Sequence, residues 1–180
     1  DGVPAVGYAL ENVTKPHFSG ARRGPAMPEG LLAHEVAHQW MGDSVTPRDW
    51  SEIWFSEGWA TLGEALWAGG GAAPELLREV LRADDRSFRL APAELGDPED
   101  LFDSFTVYSR PGAMLEGYRQ IVGQRRFRSF ARSLGDGHAR GSIDERAFVE
   151  LALAESGFDG RRRVRLSAYF QQWLRGNERP

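Results

Sequence analysis

The spacing of apolar residues predicts a chain that is mainly helical. Beyond residue 74, apolar side chains recur every three or four positions, as they do on the buried face of an amphipathic helix. Three stretches show this pattern, and Gly123 ends the second of them. A last helix is predicted over residues 166–174. The stripes are Leu76, Leu77, Val80 and Leu81; Met114, Leu115, Tyr118, Ile121 and Val122; and Phe127, Phe130, Ala131 and Leu134.

The first third of the chain predicts two further helices. Residues 31–41 contain no helix breaker and are followed by Gly42. Ser56 is a candidate N-cap for a second helix over residues 57–67, since a serine hydroxyl can accept from the backbone N–H groups of a first turn. The glycine run at residues 69–71 then predicts a loop or hinge.

Other local signals are weaker. Residues 3–10 form an apolar stretch typical of an edge strand, and residues 12–30 are rich in turn formers. Residues 46–49 contain Thr, Pro and Asp in an order that predicts a short capped turn, and Ser142 with Glu145 predicts a capping box. The fold class is therefore α+β and mainly α, with a small strand region at the N-terminal end.

Composition narrows the classes of partner. The 180 residues carry a formal net charge of -4, which argues against nucleic acid or an anionic membrane. There is no cysteine, so a metal would need histidine and carboxylate ligands. No apolar run reaches the roughly 18 residues that span a bilayer. The lack of cysteine favours a cytoplasmic protein and does not exclude secretion.

Two histidines stand four residues apart in the first predicted helix. His34 and His38 therefore share one helical face, with Cβ atoms about 5–6 Å apart, and both imidazoles can bind one ion. Glu35 lies between them and is displaced around the helix, where it can face a metal-bound water without being a ligand. The competing interpretation is an ordinary exposed helix face.

A catalytic zinc takes three protein ligands and keeps one open position. Glu57, on the next predicted helix, can supply the third ligand. Glu64 follows it by seven residues and so lies on the same helical face, where it can accept from the second ring nitrogen of a ligand histidine. An exposed, solvated Glu64 is the alternative. Most of the tryptophans fall in residues 40–67 and are expected to pack around these helices.

The segment around these residues resembles the aminopeptidase N family of gluzincin metallopeptidases. The resemblance is carried by HEVAHQWMGDSVTP at residues 34–47 and by WFSEGWAT at residues 54–61. It implies a thermolysin-like catalytic domain, with one Zn²⁺ held by His34, His38 and Glu57 and with Glu35 as general base and acid. Independently of this resemblance, the glycine run at residues 69–71 predicts a division into a zinc-binding subdomain at residues 1–70 and a helical subdomain at residues 71–180.

The same resemblance implies two further site residues. Tyr108 precedes a basic residue and a Gly-Ala pair, as does the family tyrosine that hydrogen-bonds the oxyanion, although Pro111 here interrupts the motif. The segment Tyr8-Ala9-Leu10-Glu11-Asn12 resembles the family's Gly-(Ala or Gly)-Met-Glu-Asn, in which the Glu binds the free amino terminus of the substrate. A packed loop tyrosine and an exposed edge-strand carboxylate are the alternatives.

The sequence thus favours a zinc aminopeptidase that acts on peptides with a free N-terminus. A metalloendopeptidase or an epoxide-hydrolase-like relative shares the zinc site, and Glu11 separates the aminopeptidase from both. A catalytically silent scaffold is the remaining alternative, although such a protein is expected to lose Glu35 or a ligand. The resemblance also implies an additional N-terminal domain in the full-length protein.

Overall fold

The fold is mostly helical, as the apolar periodicity predicts. The computed structural model describes residues 9–18 and 28–180, and these contain seven α-helices. They are α1 (Glu29–His38), α2 (Trp54–Ala68), α3 (Ala72–Arg82), α4 (Arg110–Val122), α5 (Gln124–His138), α6 (Glu145–Glu155) and α7 (Gly160–Arg175). None of the helices in this described part has the length and apolarity that a membrane span requires.

A small parallel sheet joins two segments that lie far apart in the chain. Strand β1 (Val45–Pro47) pairs with β2 (Gly141–Ile143), so that Val45 lies opposite Gly141. The Arg48 N–H continues the ladder by donating to the Ile143 carbonyl at 2.9 Å. The predicted N-terminal strand over residues 3–10 lies mostly outside the described residues. Where the described residues begin, Leu10 and His17 form a short antiparallel bridge.

Aromatic side chains from α2, α4, α5, α6 and α7 form the centre of the core, with Phe170 as the contribution of α7. Phe148 lies edge-to-face against Trp54 and Phe130, with ring centroids 5.4 Å apart in each pair. Tyr118 packs edge-to-face on Phe130 in turn, at 5.3 Å, and its hydroxyl donates to the Ala152 carbonyl. Such contacts add roughly 0.5–1.5 kcal/mol per pair to the burial of the rings themselves. The predicted stripe residues Met114, Leu115, Tyr118, Phe127, Phe130 and Leu134 are all buried in this core.

The connection between α3 and α4 is a series of short helical turns. Three 3₁₀ turns, Asp85–Phe88, Pro92–Glu94 and Pro98–Phe102, are followed by a π-helical turn at Ser104–Ser109. That turn runs directly into α4 and carries Tyr108. Its first N–H groups are capped by Asp103, which accepts from the Thr106 backbone at 2.7 Å.

Three local predictions are wrong. Ser56 does not cap α2, which begins at Trp54, and its hydroxyl donates to the Ile53 carbonyl instead. Ser142 lies in β2, and Asp144 caps α6 by accepting from the Ala147 N–H at 2.8 Å. Residues 46 and 47 form part of β1 rather than a turn, although Asp49 does cap the 3₁₀ turn that follows at Trp50–Glu52. Residues 46, 47 and 142 are instead taken up in the pairing of β1 with β2, which the local sequence does not indicate.

Helix boundaries also differ from the predicted ones. Helix α1 begins at Glu29, two residues before the predicted start, and ends at His38, three residues before the predicted end. The chain then turns at Gly42. The last helix begins at Gly160 and so includes the arginine-rich residues 161–165. The division of the chain at residue 70 stays a prediction.

Candidate metal centre

Helix α1 holds the two predicted histidine ligands side by side. One turn separates His34 from His38, and their ring centroids are 4.8 Å apart with the ring planes nearly perpendicular. His38 is almost fully buried, and the side chain of His34 is 13% exposed. The two rings thus line the base of a cavity rather than an exposed helix face.

Helix α2 brings a carboxylate to the same point. Glu57 Oε2 lies 3.1 Å from His34 Nε2 and 3.3 Å from His38 Nε2. One ligand atom from each residue falls within 4.8 Å of the others, so the group could hold a metal ion. Two imidazoles and one carboxylate are the ligands of several catalytic zinc sites.

The charges of these groups are coupled. Burial alone raises the pKa of Glu57, but its contacts with His34 and His38 outweigh that effect and leave it lowered. Burial likewise lowers the pKa of His38, whereas its contact with Glu57 raises it above the ordinary value. The carboxylate therefore stays ionised beside the two imidazoles, as binding of a cation requires.

Glu35 faces the same cavity from α1. It is 4% exposed, and its Oε2 atom is buried without a hydrogen-bond donor among residues 9–18 and 28–180. Burial raises the pKa of Glu35, and the nearby histidines oppose that shift. An unpaired, partly desolvated carboxylate beside three metal-ligand groups is suited to accept a proton from a small molecule in the cavity.

A cleft of about 780 Å³ opens over the three ligands. It brings together every site residue that the sequence predicts, although they come from the Leu10–His17 hairpin, two helices and the turn before α4. Apolar residues form much of its wall. The lining includes Glu11, His34, Glu35, His38, Glu57, Glu64 and Tyr108, together with Leu10, Leu31, Trp50, Ile53 and Phe102.

Tyr108 reaches the cleft from the π-helical turn. Its ring lies 6.1 Å from that of His34 at an interplanar angle of 24°. Burial and then the nearby carboxylates raise the pKa of Tyr108, so its phenol stays a hydrogen-bond donor at neutral pH. Pro111 occupies the first turn of α4, where a proline is readily accommodated, and does not remove Tyr108 from the cleft.

Glu64 lies beside the first ligand. Its Oε2 atom is 3.7 Å from His34 Nδ1, the ring nitrogen that faces away from Glu57. The side chain is 47% exposed, so it is a half-solvated carboxylate rather than a buried partner. The structure therefore places Glu64 near the position proposed from its spacing, at a distance longer than a hydrogen bond.

The expected packing of tryptophans holds for only part of the set. Trp54 and Trp59 pack in the core, whereas Trp40, Trp50 and Trp67 are more than half exposed. Trp50 instead lines the cleft. The sequence could have indicated this exposure, because Trp50 directly follows the capping residue Asp49 and belongs to no amphipathic stripe.

Comparison with known proteins identifies the family. The model of the peptidase family M1 domain matches residues 22–173. Aminopeptidase N of Lactobacillus helveticus is 30% identical over 125 residues, which are 62% of this chain and 15% of that protein. The chain thus spans only a small part of the curated relatives that it matches.

Solved structures show the same fold. A crystal structure of an M1 zinc metallopeptidase from Deinococcus radiodurans superimposes with a TM-score of 0.80 at 27% identity, covering 99% of this chain and 39% of that one. Leukotriene A4 hydrolase from Saccharomyces cerevisiae gives a TM-score of 0.72 over 97% of this chain and 30% of its own. Its 22% identity shows a shared fold alone.

Proposed function

Because the chain belongs to peptidase family M1, we propose that it is the catalytic core of a zinc aminopeptidase. The convergence of His34, His38 and Glu57 at one point of a cleft that also contains Glu11 carries this proposal. The thermolysin-like arrangement belongs to the same proposal. It is supported by the packing of α1 on α2, two helices that together present the whole ligand set.

The ligand set fits zinc. Its two imidazoles and one carboxylate leave room for a fourth ligand on the cleft side, where Glu35 lies. Glu64 Oε2 lies 3.7 Å from His34 Nδ1, and a small movement of its half-exposed side chain would let it accept from that nitrogen and fix the tautomer in which Nε2 binds the metal. Zinc bound there would polarise the scissile carbonyl and make water more acidic.

The residues of the chain account for the proton transfers. The buried Glu35 carboxylate accepts a proton from the attacking water and then delivers it to the leaving amine nitrogen. The Tyr108 phenol donates a hydrogen bond to the oxyanion that forms as the carbonyl is attacked. A preorganised neutral donor of this kind contributes roughly 10²–10³ in rate.

Glu11 makes the cleft selective for a free amino terminus. An α-ammonium group must be partly desolvated as it enters the cleft, so its binding needs a carboxylate near the scissile bond. Glu11 lines the same cleft as the ligands and lies on a hairpin at its edge. The substrates would therefore be peptides that are cut at their first bond.

One comparison tests this function against endopeptidase activity. Wild type and Glu11→Ala are each given a short peptide with a free amino terminus and the same peptide acetylated. We expect wild type to cut the free peptide far better, and Glu11→Ala to lose roughly 10- to 150-fold in kcat/KM on it. Equal cleavage of both peptides by wild type would refute the aminopeptidase and favour an endopeptidase.

A further inference from the structure

Gln39 connects the metal helix to the hairpin that carries Glu11. It directly follows His38 at the end of α1, and its side chain reaches the Leu10–His17 hairpin. The side-chain Nε2 lies 3.4 Å from the Glu11 carbonyl and 3.2 Å from the Asn12 carbonyl, and these two oxygens share one of its two N–H groups. Its Oε1 accepts from the Thr14 backbone N–H at 2.8 Å.

The amide of Gln39 is itself held in place. Asp43 Oδ2 accepts from Nε2 at 2.7 Å, which fixes the orientation of the amide plane. Asp43 lies just past α1, where its backbone N–H donates to the His38 carbonyl at 2.9 Å. The contact of Gln39 with the hairpin is therefore tied to the backbone of a ligand residue.

The hairpin needs such an anchor. Leu10 and His17 exchange one pair of backbone hydrogen bonds at 2.8 Å, and Asn12 contacts the His17 ring at 3.1 Å. Leu10, Val13 and Thr14 are exposed, so the hairpin buries little apolar surface of its own. Isolated two-stranded hairpins are at best marginally stable in water.

We propose that Gln39 is a positioning residue that sets the selection of a free amino terminus by fixing Glu11 at a set distance from the metal ligands. This inference rests on the proposed aminopeptidase function and adds the element that enforces it. Because an exopeptidase must hold the ammonium one residue from the scissile carbonyl, small displacements of the carboxylate weaken selection before they weaken bond cleavage.

The test uses metal-loaded protein and the Gln39→Met variant. Methionine keeps the length of the side chain and removes its hydrogen bonds. We expect the ratio of kcat/KM for the free peptide to that for the acetylated peptide to fall by roughly tenfold, the effect of losing two or three neutral hydrogen bonds. Zinc content should not change. Gln120→Met is the matched control, since Gln120 bonds Glu116 on α4 outside the cleft.

A readout independent of turnover follows the contact itself. The Thr14 amide should exchange its hydrogen at least several-fold faster in Gln39→Met than in wild type, because its acceptor is gone. In a Glu11→Ala background the substitution should lower the ratio no further, since Gln39 acts through Glu11. Asp43→Ala, which frees the Gln39 amide from its other side, serves if Gln39→Met does not fold.

Several outcomes would overturn the proposal. Unchanged exchange at Thr14 would show that the contact is not made in solution. An unchanged peptide ratio, or a further fall in the Glu11→Ala background, would show that Gln39 does not select through Glu11. A wild-type ratio near one would refute the aminopeptidase function instead. The proposed role of Gln39 in substrate selection would then be refuted as well, even if the Thr14 amide were still protected from hydrogen exchange.

Discussion

A β-carbon on Gly58 would lie 2.6 Å from the β-carbon of Pro111. The two residues meet where α2 packs against α4, one position after Glu57 and three after Tyr108. No side chain fits on residue 58 without moving one of these helices. The close contact therefore links the position of a metal ligand to that of the tyrosine on the other side of the cleft.

Replacing Gly58 with alanine should destabilise the protein despite the better helix propensity of alanine. Overpacking costs about 1–3 kcal/mol, whereas the propensity gain in a helix is about 1 kcal/mol. We expect a net loss of up to about 2 kcal/mol in the free energy of unfolding, measured by urea denaturation, together with reduced zinc occupancy. Gly137→Ala on α5 is the control, because open space surrounds that position, and it should be neutral or stabilising.

Metal analysis separates the ligands from the general base. His34→Ala, His38→Ala and Glu57→Ala should each bind far less than one zinc per chain, since each removes one of three ligands. Glu35→Gln should keep the metal and lower kcat by on the order of 10²–10⁴. A fully loaded Glu57→Ala would show that the third ligand is assigned wrongly.

The parts of this site that the residues themselves could predict are those whose spacing is local. Two histidines four residues apart must share a helical face, and so must Glu57 and Glu64, seven apart on α2. Helix periodicity likewise predicted the buried stripes of α4 and α5. These features follow from one helix at a time, without knowledge of how the helices pack.

Features that depend on distant pairing could not be predicted. The three residues of β1 and the three of β2 carry no recognisable strand pattern and gain their structure from each other. Ser142 was therefore predicted to be a helix cap, because its pairing with β1 could not be foreseen. The contact between Gln39 and Glu11 joins residues 28 apart in the sequence, and no periodic signal marks it.

Tyr108→Phe tests the oxyanion donor. Removing the hydroxyl should lower kcat by on the order of 10²–10³ and leave zinc content unchanged, because Tyr108 is not one of the candidate metal ligands. Tyr118→Phe is the matched control. It also loses one hydroxyl, but that group donates to the Ala152 carbonyl in the core, so the loss should appear in stability rather than kcat. If Tyr108→Phe stays within a fewfold of wild type, Tyr108 is not the donor.

Arg110 carries a charge that is buried without a carboxylate partner among the described residues. It is fully buried, and burial lowers the pKa of its guanidinium to about 10. Three backbone carbonyls, those of Leu90, Gln172 and Gly176, accept from it, and its Cζ lies 5.3 Å from the centre of the Phe88 ring. It thus ties the start of α4 to the end of α7.

Replacing this arginine sets two opposing effects against each other. Arg110→Met removes the cost of burying a charge, but it leaves the Leu90 and Gly176 carbonyls without their donor, at about 1–3 kcal/mol each. Since three hydrogen bonds already compensate the charge, the second effect should prevail, with a loss of about 2–5 kcal/mol in the free energy of unfolding. Arg110→Lys should lose less, because an ammonium can keep some of the carbonyl contacts.

Arg146→Met is the control, because Arg146 forms an exposed pair with Glu150, and it should leave Tm unchanged. A stability of Arg110→Met equal to that of wild type would mean that the buried charge costs as much as its hydrogen bonds return.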